Sequence, residues 1–273
     1  MNNFWQRIIT GTVFVGVILS SIWWGPLTFQ LLFFVVAMLS VHEFFGMISG
    51  ENRSPNTMAG YLAAFITYGA ISFPTQMQSI LPGINPLTLL LPVFTLIFIA
   101  ELYRKSTEPF TNIAFTVVGV LYVVLPFALL NTLATDAAGN YDRGILLGYF
   151  FLLWSSDSFA YVFGMLFGKT KLFERISPKK SWEGSIGGGL TTLGIAWLIS
   201  TFQPGLSTIE WLIFAAIIIV AGTLGDLTES MLKRSLKVKD SGTLLPGHGG
   251  LLDRFDALFI SVPLLWAYLS LVR

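Results

Sequence analysis

The stretch Leu251–Val272 reads LLDRFDALFISVPLLWAYLSLV and joins a charged beginning to a long apolar run. After Asp256 this run contains no Asp, Glu, Lys, Arg or His, and the whole stretch has about the ~20 residues that an α-helix needs to cross a bilayer. Comparable apolar segments recur along the chain, and we identify nine, at residues 8–24, 26–48, 57–73, 86–102, 113–134, 144–167, 185–202, 210–232 and 251–272. The sequence therefore predicts an all-α, polytopic helical integral membrane protein with about nine transmembrane helices.

The composition of the chain excludes an ordinary soluble domain. Of its 273 residues, 54% are hydrophobic and 11% are charged, and the mean hydropathy is +0.72. Cysteine is absent, which excludes disulfides, thiolate metal sites and cysteine nucleophiles. Most charged residues fall within residues 154–256. We therefore expect an N-terminal transmembrane scaffold of about five helices at residues 1–143 and a C-terminal catalytic half of about four helices at residues 144–273.

The basic residues predict how the chain is oriented. With nine spans, one side of the membrane carries most of the lysine and arginine, whereas the other side carries Arg143 and Arg273. The first group comprises Arg7, Arg53, Arg104, Lys105, Lys169, Lys171, Arg175, Lys179, Lys180, Lys233, Arg234, Lys237 and Lys239. Because such residues are retained on the cytoplasmic side, we expect a multi-pass protein of the cell (inner) membrane, with its N-terminus and active site facing the cytoplasm.

One carboxylate, Asp157, lies well inside a predicted membrane helix, between the hydroxyl side chains of the segment WSSDSFAY, Trp154–Tyr161. A carboxylate at the centre of a bilayer costs about 2.5–3.5 kcal/mol on insertion scales, so it needs a partner or a water-filled cavity. Two interpretations remain open. Asp157 either makes a helix-packing hydrogen bond or forms one polar wall of a substrate cavity.

A second group of charges closes the eighth predicted helix, in GTLGDLTESMLKR, Gly222–Arg234. Asp226, Glu229 and Lys233 stand three and four residues apart and therefore share one helix face. An ion pair between Glu229 and Lys233 is one explanation for those two side chains. Asp226 has no obvious cation near it in the sequence, which makes it a candidate for a functional role.

Asp253 and Asp256 stand three residues apart at the start of the ninth predicted helix, so both side chains project from one face. A helix N-terminus favours one such carboxylate, but it does not explain Asp226, which an adjacent antiparallel helix is expected to bring to the same depth. Three carboxylates suit a hard divalent cation, most simply Mg²⁺. Zinc is disfavoured because only His42 and His248 offer nitrogen ligands. The alternative is a structural network neutralised by Lys233, Arg234 and Arg254.

A glycine-rich turn, LLPGHGG at Leu244–Gly250, precedes these aspartates. Its backbone can approach a phosphate and point N–H groups at it, although a plain interhelical loop would have the same composition.

The basic segment at residues 169–183 either holds a polyphosphate or only sets the topology. The segment GMLFGKT, Gly164–Thr170, is not a P-loop, because three residues instead of four separate its glycines. The glycines at 187–189 favour close helix packing.

The segment SMLKRSLKVKDSGTLLPGHGGLLDRFD, Ser230–Asp256, resembles the signature of phosphatidate cytidylyltransferases, also called CDP-diacylglycerol synthases. The segments LGDLTES, Leu224–Ser230, and SPKKSWEGSIGG, Ser177–Gly188, are also similar, so the resemblance covers at least residues 154–256. It implies a Mg²⁺-dependent reaction in which CTP and phosphatidate give CDP-diacylglycerol and pyrophosphate. The matching signature positions are Ser230, Lys233, Arg234, Lys239, Asp240, Pro246, His248, Gly249, Gly250, Asp253, Arg254 and Asp256.

The resemblance also implies which residues act. Its catalytic candidates are Asp226, Asp253, Asp256, Lys239 and His248, with the three aspartates as metal ligands and a second cation beside the first as an option. Its candidates for substrate binding are Asp157, Ser177, Lys179, Lys180, Ser181, Lys233, Arg234, Asp240, Gly249, Gly250 and Arg254.

Two other functions remain open, a CTP-dependent lipid kinase and a transporter with a polar intramembrane site. We expect CTP, phosphatidate and the bilayer as partners, and no nucleic acid. The resemblance also makes a homodimer an expectation. Because CTP approaches from water and phosphatidate from lipid, we expect a polar cavity that opens in both directions, walled by Asp157, Asp226, Asp253 and Asp256.

Overall fold

The computed structural model describes residues 3–50, 52–135, 139–245, 247 and 249–272, and this part of the chain is mostly helical. Its first helices are α1 (Asn3–Trp24), α2 (Pro26–Ile48), α3 (Thr57–Ser72), α4 (Pro74–Ile80), a 3₁₀ turn (Pro86–Leu89), α5 (Leu90–Leu102), α6 (Pro109–Val118), a π-helical segment (Gly119–Val124) and α7 (Leu125–Leu133). Then follow α8 (Arg143–Phe167), β1 (Lys171–Phe173), β2 (Ser177–Ser181), α9 (Trp182–Phe202), α10 (Thr208–Ser235) and α11 (Leu252–Val272).

Six helical segments of the described chain are long and apolar enough to cross a membrane. They are Pro26–Ile48, Pro109–Leu133, Arg143–Phe167, Trp182–Phe202, Thr208–Ser235 and Leu252–Val272. The other three predicted spans are also helical, but their apolar helical stretches are shorter: they correspond to Ile8–Trp24 within α1, to α3 and to the segment Pro86–Leu102. The prediction of a polytopic helical membrane protein is confirmed, whereas the number of nine spans stays a prediction.

Local sequence signals explain where several helices begin. Ser207 and Glu210 form a capping box at α10, in which the Ser207 hydroxyl accepts from the Glu210 N–H and the Glu210 carboxylate accepts from the Ser207 N–H at 2.6 Å. Asp142 caps α8 by accepting from the Gly144 N–H at 2.8 Å. The π-helical segment Gly119–Val124 lies just before Pro126, which has no N–H to complete a regular helical turn.

The chain divides into two compact units, and neither is continuous in sequence. The first unit comprises Met1–Thr132 together with Lys239–Arg254, and the second comprises Leu133–Val238 together with Phe255–Arg273. The loop before α11 thus belongs with the N-terminal helices. That residues 1–143 serve as a scaffold and residues 144–273 carry out catalysis remains a prediction, because the two compact units describe packing and not function.

In the first unit, buried polar side chains join apolar helices. The Asn131 side chain on α7 donates to the Tyr68 hydroxyl at 2.9 Å and to the Ser72 hydroxyl at 3.0 Å, both on α3. Tyr68 is completely buried and donates in turn to the Gln30 carbonyl of α2 at 2.6 Å. Such hydrogen bonds hold helices together where the surrounding apolar surface offers no directional contact.

In the second unit, glycines bring α8, α9 and α10 together. A Cβ at Gly188 would lie 2.6 Å from the Ala160 backbone nitrogen on α8, and one at Gly189 would lie 3.2 Å from the Ile219 side chain on α10. At Gly187 it would meet the Phe163 ring at 2.5 Å. The prediction that residues 187–189 serve close helix packing is confirmed.

Candidate functional site

A short β-hairpin positions the lysines of residues 169–183, where the sequence predicts only a basic loop. Strands β1 and β2 pair antiparallel, with Lys171 opposite Ser181. Successive side chains of a strand point to opposite faces. Accordingly, Lys179 is exposed, whereas the side chain of Lys180 is only 26% exposed. The hairpin therefore gives two adjacent lysines different environments.

Lys180 provides the cation that Asp226 lacks in the sequence. Its Nζ lies 2.5 Å from Asp226 Oδ2, and the Ser230 hydroxyl donates to Asp226 Oδ1 at 3.2 Å. Both carboxylate oxygens of Asp226 are therefore engaged. The Asp226 side chain is 32% exposed, so this ion pair lies at an accessible surface of the second unit.

A glycine contact places Asp256 beside Asp226. A Cβ at Gly225 would lie 2.6 Å from the Asp256 carbonyl oxygen and 3.0 Å from Ala257 Cα, so α10 and α11 touch at their backbones. The Asp256 carboxyl interacts electrostatically with Asp226, Glu229 and Asp157. We call these four residues, Asp157, Asp226, Glu229 and Asp256, the acidic cluster.

Asp157 belongs to this cluster from α8. Its carboxyl interacts electrostatically with Lys180 and Asp226, and its side chain is exposed. Asp157 thus lies near the other carboxylates of the cluster, and its role as a polar wall of a substrate cavity stays a prediction. The second unit brings together three of the four aspartates that were expected to line one cavity.

Glu229 and Lys233 form an ion pair, which was one of the explanations considered for their shared helix face. Lys233 Nζ lies 2.5 Å from Glu229 Oε2, and the two side chains are 11% and 1% exposed. Within the acidic cluster, four carboxylates therefore face two described lysines, Lys180 and Lys233. Lys180 and Lys233 each pair with one carboxylate of the cluster.

The donor chemistry of the cluster suits Mg²⁺, because carboxylate oxygens are the ligands that this hard cation prefers. Among the described residues, however, no three side chains of His, Cys, Asp or Glu are grouped closely enough to hold a metal ion. The assignment of Asp226, Asp253 and Asp256 as metal ligands stays a prediction.

Asp253 belongs to the first unit, where it orders the glycine-rich turn. Its Oδ2 accepts from the Ser241 N–H and the Gly250 N–H, each at 3.0 Å. Gly249 has φ +81°, and a Cβ there would lie 2.7 Å from the same oxygen. Both the backbone conformation and the close approach require glycine at position 249. The turn is thus built around the Asp253 carboxylate.

Glu43 of α2, which was not among the predicted site residues, contacts this turn directly. Glu43 is buried, with 7% exposed, and its carboxylate accepts from the Ser241 hydroxyl, from the Leu251 N–H at 2.9 Å and from the Leu252 N–H at 3.1 Å. The available signal was a carboxylate in an otherwise apolar predicted span, which is expensive unless it has partners.

Several other predicted residues have defined positions. Ser181 is the N-cap of α9 and accepts from the Gly184 N–H at 3.2 Å, and Ser177 is half-buried on β2. Arg234, in the last turn of α10, is exposed and donates to the backbone carbonyl of Val238, which follows the helix, at 3.3 Å. Lys239, Asp240 and Arg254 are exposed. Pro246 and His248 lie outside the described residues.

The segment rejected as a P-loop is held by a carboxylate. Glu183 accepts from the backbone N–H groups of Lys169 and Thr170, each at 3.1 Å. Residues 164–167 belong to α8. These contacts account for the segment GMLFGKT without a bound phosphate.

Comparisons with known proteins cover almost the whole chain. Residues 5–272 match the sequence pattern of the Cytidylyltransferase family. A phosphatidate cytidylyltransferase of Bacillus subtilis is 32% identical over 271 residues, which are 97% of each chain. One of Staphylococcus haemolyticus is 33% identical over 261 residues, covering 95% of this chain and 96% of the relative. One of Haemophilus influenzae is 49% identical over 124 residues, which are 44% of this chain and 43% of the relative.

Proposed function

Because this chain belongs to the cytidylyltransferase family, we propose that it is a phosphatidate cytidylyltransferase, which transfers CMP from CTP to phosphatidate. The observation that carries this proposal is the similarity to the Bacillus subtilis enzyme over 97% of both chains. CDP-diacylglycerol and pyrophosphate are the products, and phospholipid biosynthesis is the process served. Neither a lipid kinase nor a transporter is supported by the comparisons.

The reaction makes one phosphorus–oxygen bond and breaks another. A phosphate oxygen of phosphatidate bonds to the α-phosphorus of CTP, and the bond from that phosphorus to the β-phosphate bridge breaks, so its electron pair leaves with pyrophosphate. The attacking phosphate is already ionised at neutral pH, so no strong general base is required. The enzyme must instead hold two anionic substrates in line and neutralise their charge.

The basic side chains of the predicted site provide that neutralisation. Lys180 stands beside Asp226, and Lys233 stands beside Glu229, so each ammonium group is oriented by a carboxylate. Lys179, Arg234 and Lys239 are exposed and available to phosphates from the aqueous side. We assign these five residues to phosphate binding. Gly249 and Gly250 shape the turn beside Asp253, in which the Gly250 N–H donates to Asp253 Oδ2.

Mg²⁺ completes the proposal, with Asp226 and Asp256 as its ligands in the acidic cluster. Asp253 joins them on the sequence spacing, one helical turn before Asp256 on α11. When bound, the cation supplies positive charge to the transferring phosphate and the leaving pyrophosphate. A second cation remains part of the proposal. The support is the oxygen-only donor set of the cluster.

The location in the cell follows from the same reasoning. The chain is a membrane protein, and the relatives are bacterial, so we assign it to the inner membrane. The lysine and arginine distribution supports an N-terminus and an active site on the cytoplasmic side, where CTP is found. A homodimer, implied by the family resemblance, belongs to the same proposal.

One experiment tests the reaction. Purified protein is incubated with phosphatidate, Mg²⁺ and CTP labelled on either the α- or the γ-phosphate, and the lipid and aqueous products are separated. We expect α-label in the lipid and γ-label in pyrophosphate. Transfer of γ-label to the lipid would instead identify a kinase, and no lipid labelling at all would refute both. Asp256→Asn serves as the inactive control.

A further inference from the structure

Glu43 makes three hydrogen bonds to one short segment that is distant in sequence. Its Oε1 accepts from the Ser241 hydroxyl and from the Leu252 N–H at 3.1 Å, and its Oε2 accepts from the Leu251 N–H at 2.9 Å. Leu251 and Glu43 are 208 residues apart in the chain. All of these residues belong to the first unit, and both carboxylate oxygens are used.

Two glycines show how closely the segment fits this carboxylate. A Cβ at Gly250 would overlap Glu43 Oε1 and the Ser241 hydroxyl, and a Cβ at Gly242 would lie 2.8 Å from Glu43 Cδ. Position 250 is buried. Any larger residue at either glycine would displace the carboxylate or the turn, so the segment is shaped around Glu43.

Ser241 links Glu43 to a predicted metal ligand. Its hydroxyl donates to Glu43, and its backbone N–H donates to Asp253 Oδ2 at 3.0 Å. Asp253 Oδ2 also accepts a hydrogen bond from the Gly250 N–H. The following residue, Leu251, donates its N–H to Glu43. A displacement of the Glu43 carboxylate would therefore be transmitted to Asp253 through Ser241 and through the backbone at 250–252.

We propose that Glu43 is a positioning residue for the reaction. Through Ser241 and the N–H groups of Leu251 and Leu252, it sets the conformation of the described residues at 239–245 and 249–252, which carry Lys239 and Asp240 and lead directly into Asp253. The inference rests on the proposed function, which assigns roles in the reaction to Lys239, Asp240 and Asp253. It extends the site to an N-terminal helix that was expected to serve only as a scaffold.

Glu43→Gln is the informative substitution. An amide of the same size has one acceptor oxygen and one NH₂ group, so it places a donor against at least one of the three donors that now face the carboxylate. An unsatisfied buried donor disfavours the native arrangement of the turn. Replacing a residue that orients a ligand in this way costs about 10- to 100-fold in activity.

Glu101→Gln is the matched control. Glu101 is also a buried carboxylate of the first unit, and it accepts from Arg104 at 2.9 Å, Ser106 at 2.8 Å and Asn112 at 2.9 Å. These three hydrogen bonds stabilise the region between α5 and α6, and none of the three partners belongs to the segment that Glu43 contacts. A general loss of stability should therefore affect both variants, whereas a positioning effect should be confined to Glu43.

The test measures kcat, KM for CTP and backbone hydrogen exchange in full-length detergent-solubilised protein. For Glu43→Gln we expect kcat to fall about 10- to 100-fold, with faster exchange at residues 249–253. Glu101→Gln should leave both quantities near wild type. Ser241→Ala, which removes one of the three hydrogen bonds, should lower kcat by a smaller factor and provides a second variant if Glu43→Gln does not fold.

Wild-type kcat in folded Glu43→Gln or in Ser241→Ala would overturn the inference, as would equal losses of kcat in the Glu43 and Glu101 variants. The two proposals fail differently. If wild-type protein makes no CDP-diacylglycerol, the proposed function is wrong, and the exchange measurement still tests whether Glu43 orders the turn. If wild-type protein is active and Glu43→Gln is equally active, only the positioning role is wrong.

Discussion

Lys180 Nζ and Asp226 Oδ2 lie 2.5 Å apart, which joins the β-hairpin after α8 to the cytoplasmic end predicted for α10. Asp226 is thereby neutralised by a lysine from a different element. Both side chains retain some exposure, at 26% and 32%. A pair at an accessible surface can exchange partners with an incoming nucleotide at a smaller desolvation cost than a fully buried pair.

Lys180→Gln should lower kcat/KM for CTP by about 10- to 100-fold, because one charge-assisted hydrogen bond contributes ~1.5–3 kcal/mol. Lys171→Gln is the matched control, since Lys171 is exposed on β1 of the same hairpin and is not among the residues assigned to phosphate binding. Its effect should stay within about threefold, as for other solvent-exposed charges. Steady-state kinetics at saturating phosphatidate check this, and equal effects of the two substitutions would contradict it.

Asp253→Asn and Asp256→Asn should each abolish most activity while the protein stays folded and membrane-inserted. In the first variant, the amide oxygen of the new side chain can still accept from the Ser241 and Gly250 N–H groups that Asp253 Oδ2 now serves, so the loss would report the missing charge. Asp157→Asn should impair turnover less, because Asp157 is assigned to the cavity wall. Near-wild-type turnover of either of the first two variants at saturating Mg²⁺ would remove the metal assignment.

Removal of divalent cations should stop the reaction, and added Mg²⁺ should restore it. If Asp256 is a ligand, Asp256→Asn should raise the Mg²⁺ concentration for half-maximal activity, by about 10-fold or more. Residual activity of the variant is measured across a Mg²⁺ titration after chelation. An unchanged Mg²⁺ dependence in an otherwise impaired variant would show that Asp256 acts in another way.

Gly225→Ala should separate α10 from α11, since the new Cβ would meet the Asp256 carbonyl at 2.6 Å and Ala257 Cα at 3.0 Å. Overpacking of this kind costs about 1–3 kcal/mol, so both the thermal unfolding midpoint and the activity should fall. Gly222→Ala on the same helix is the control, because its Cβ would meet only side-chain atoms at 3.5 and 3.6 Å. It should leave activity unchanged. If the two variants behave alike, the close helix contact is not what positions Asp256.

The orientation can be tested directly because the chain has no cysteine. A cysteine at the exposed Glu174, between β1 and β2, should react with an impermeant thiol reagent only from the cytoplasmic side. A cysteine at the exposed Asn140, before α8, should react only from outside. Labelling is compared in intact cells and inverted vesicles. The opposite pattern would reverse the topology.

Features that depend on neighbouring residues were predictable from the sequence. Long apolar runs indicated the helices, because a helix in hydrocarbon must satisfy its own backbone and present apolar side chains over its whole length. The spacing of Asp253 and Asp256 placed both on one face of α11, and the glycines at 187–189 indicated close packing. Each of these inferences uses only the geometry of a single helix.

Only the tertiary structure decided which distant groups meet. The Lys180–Asp226 ion pair depends on a hairpin whose strands lack the apolar alternation that would have predicted them. The hydrogen bonds of Glu43 reach Leu251 and Leu252, which lie 208 and 209 positions further along the chain. Helix periodicity states which face of a segment is polar, but it does not state which other segment covers that face. That choice depends on the combined packing of all the helices, so a buried carboxylate in α2 was visible in the sequence while its partners in the turn before α11 were not.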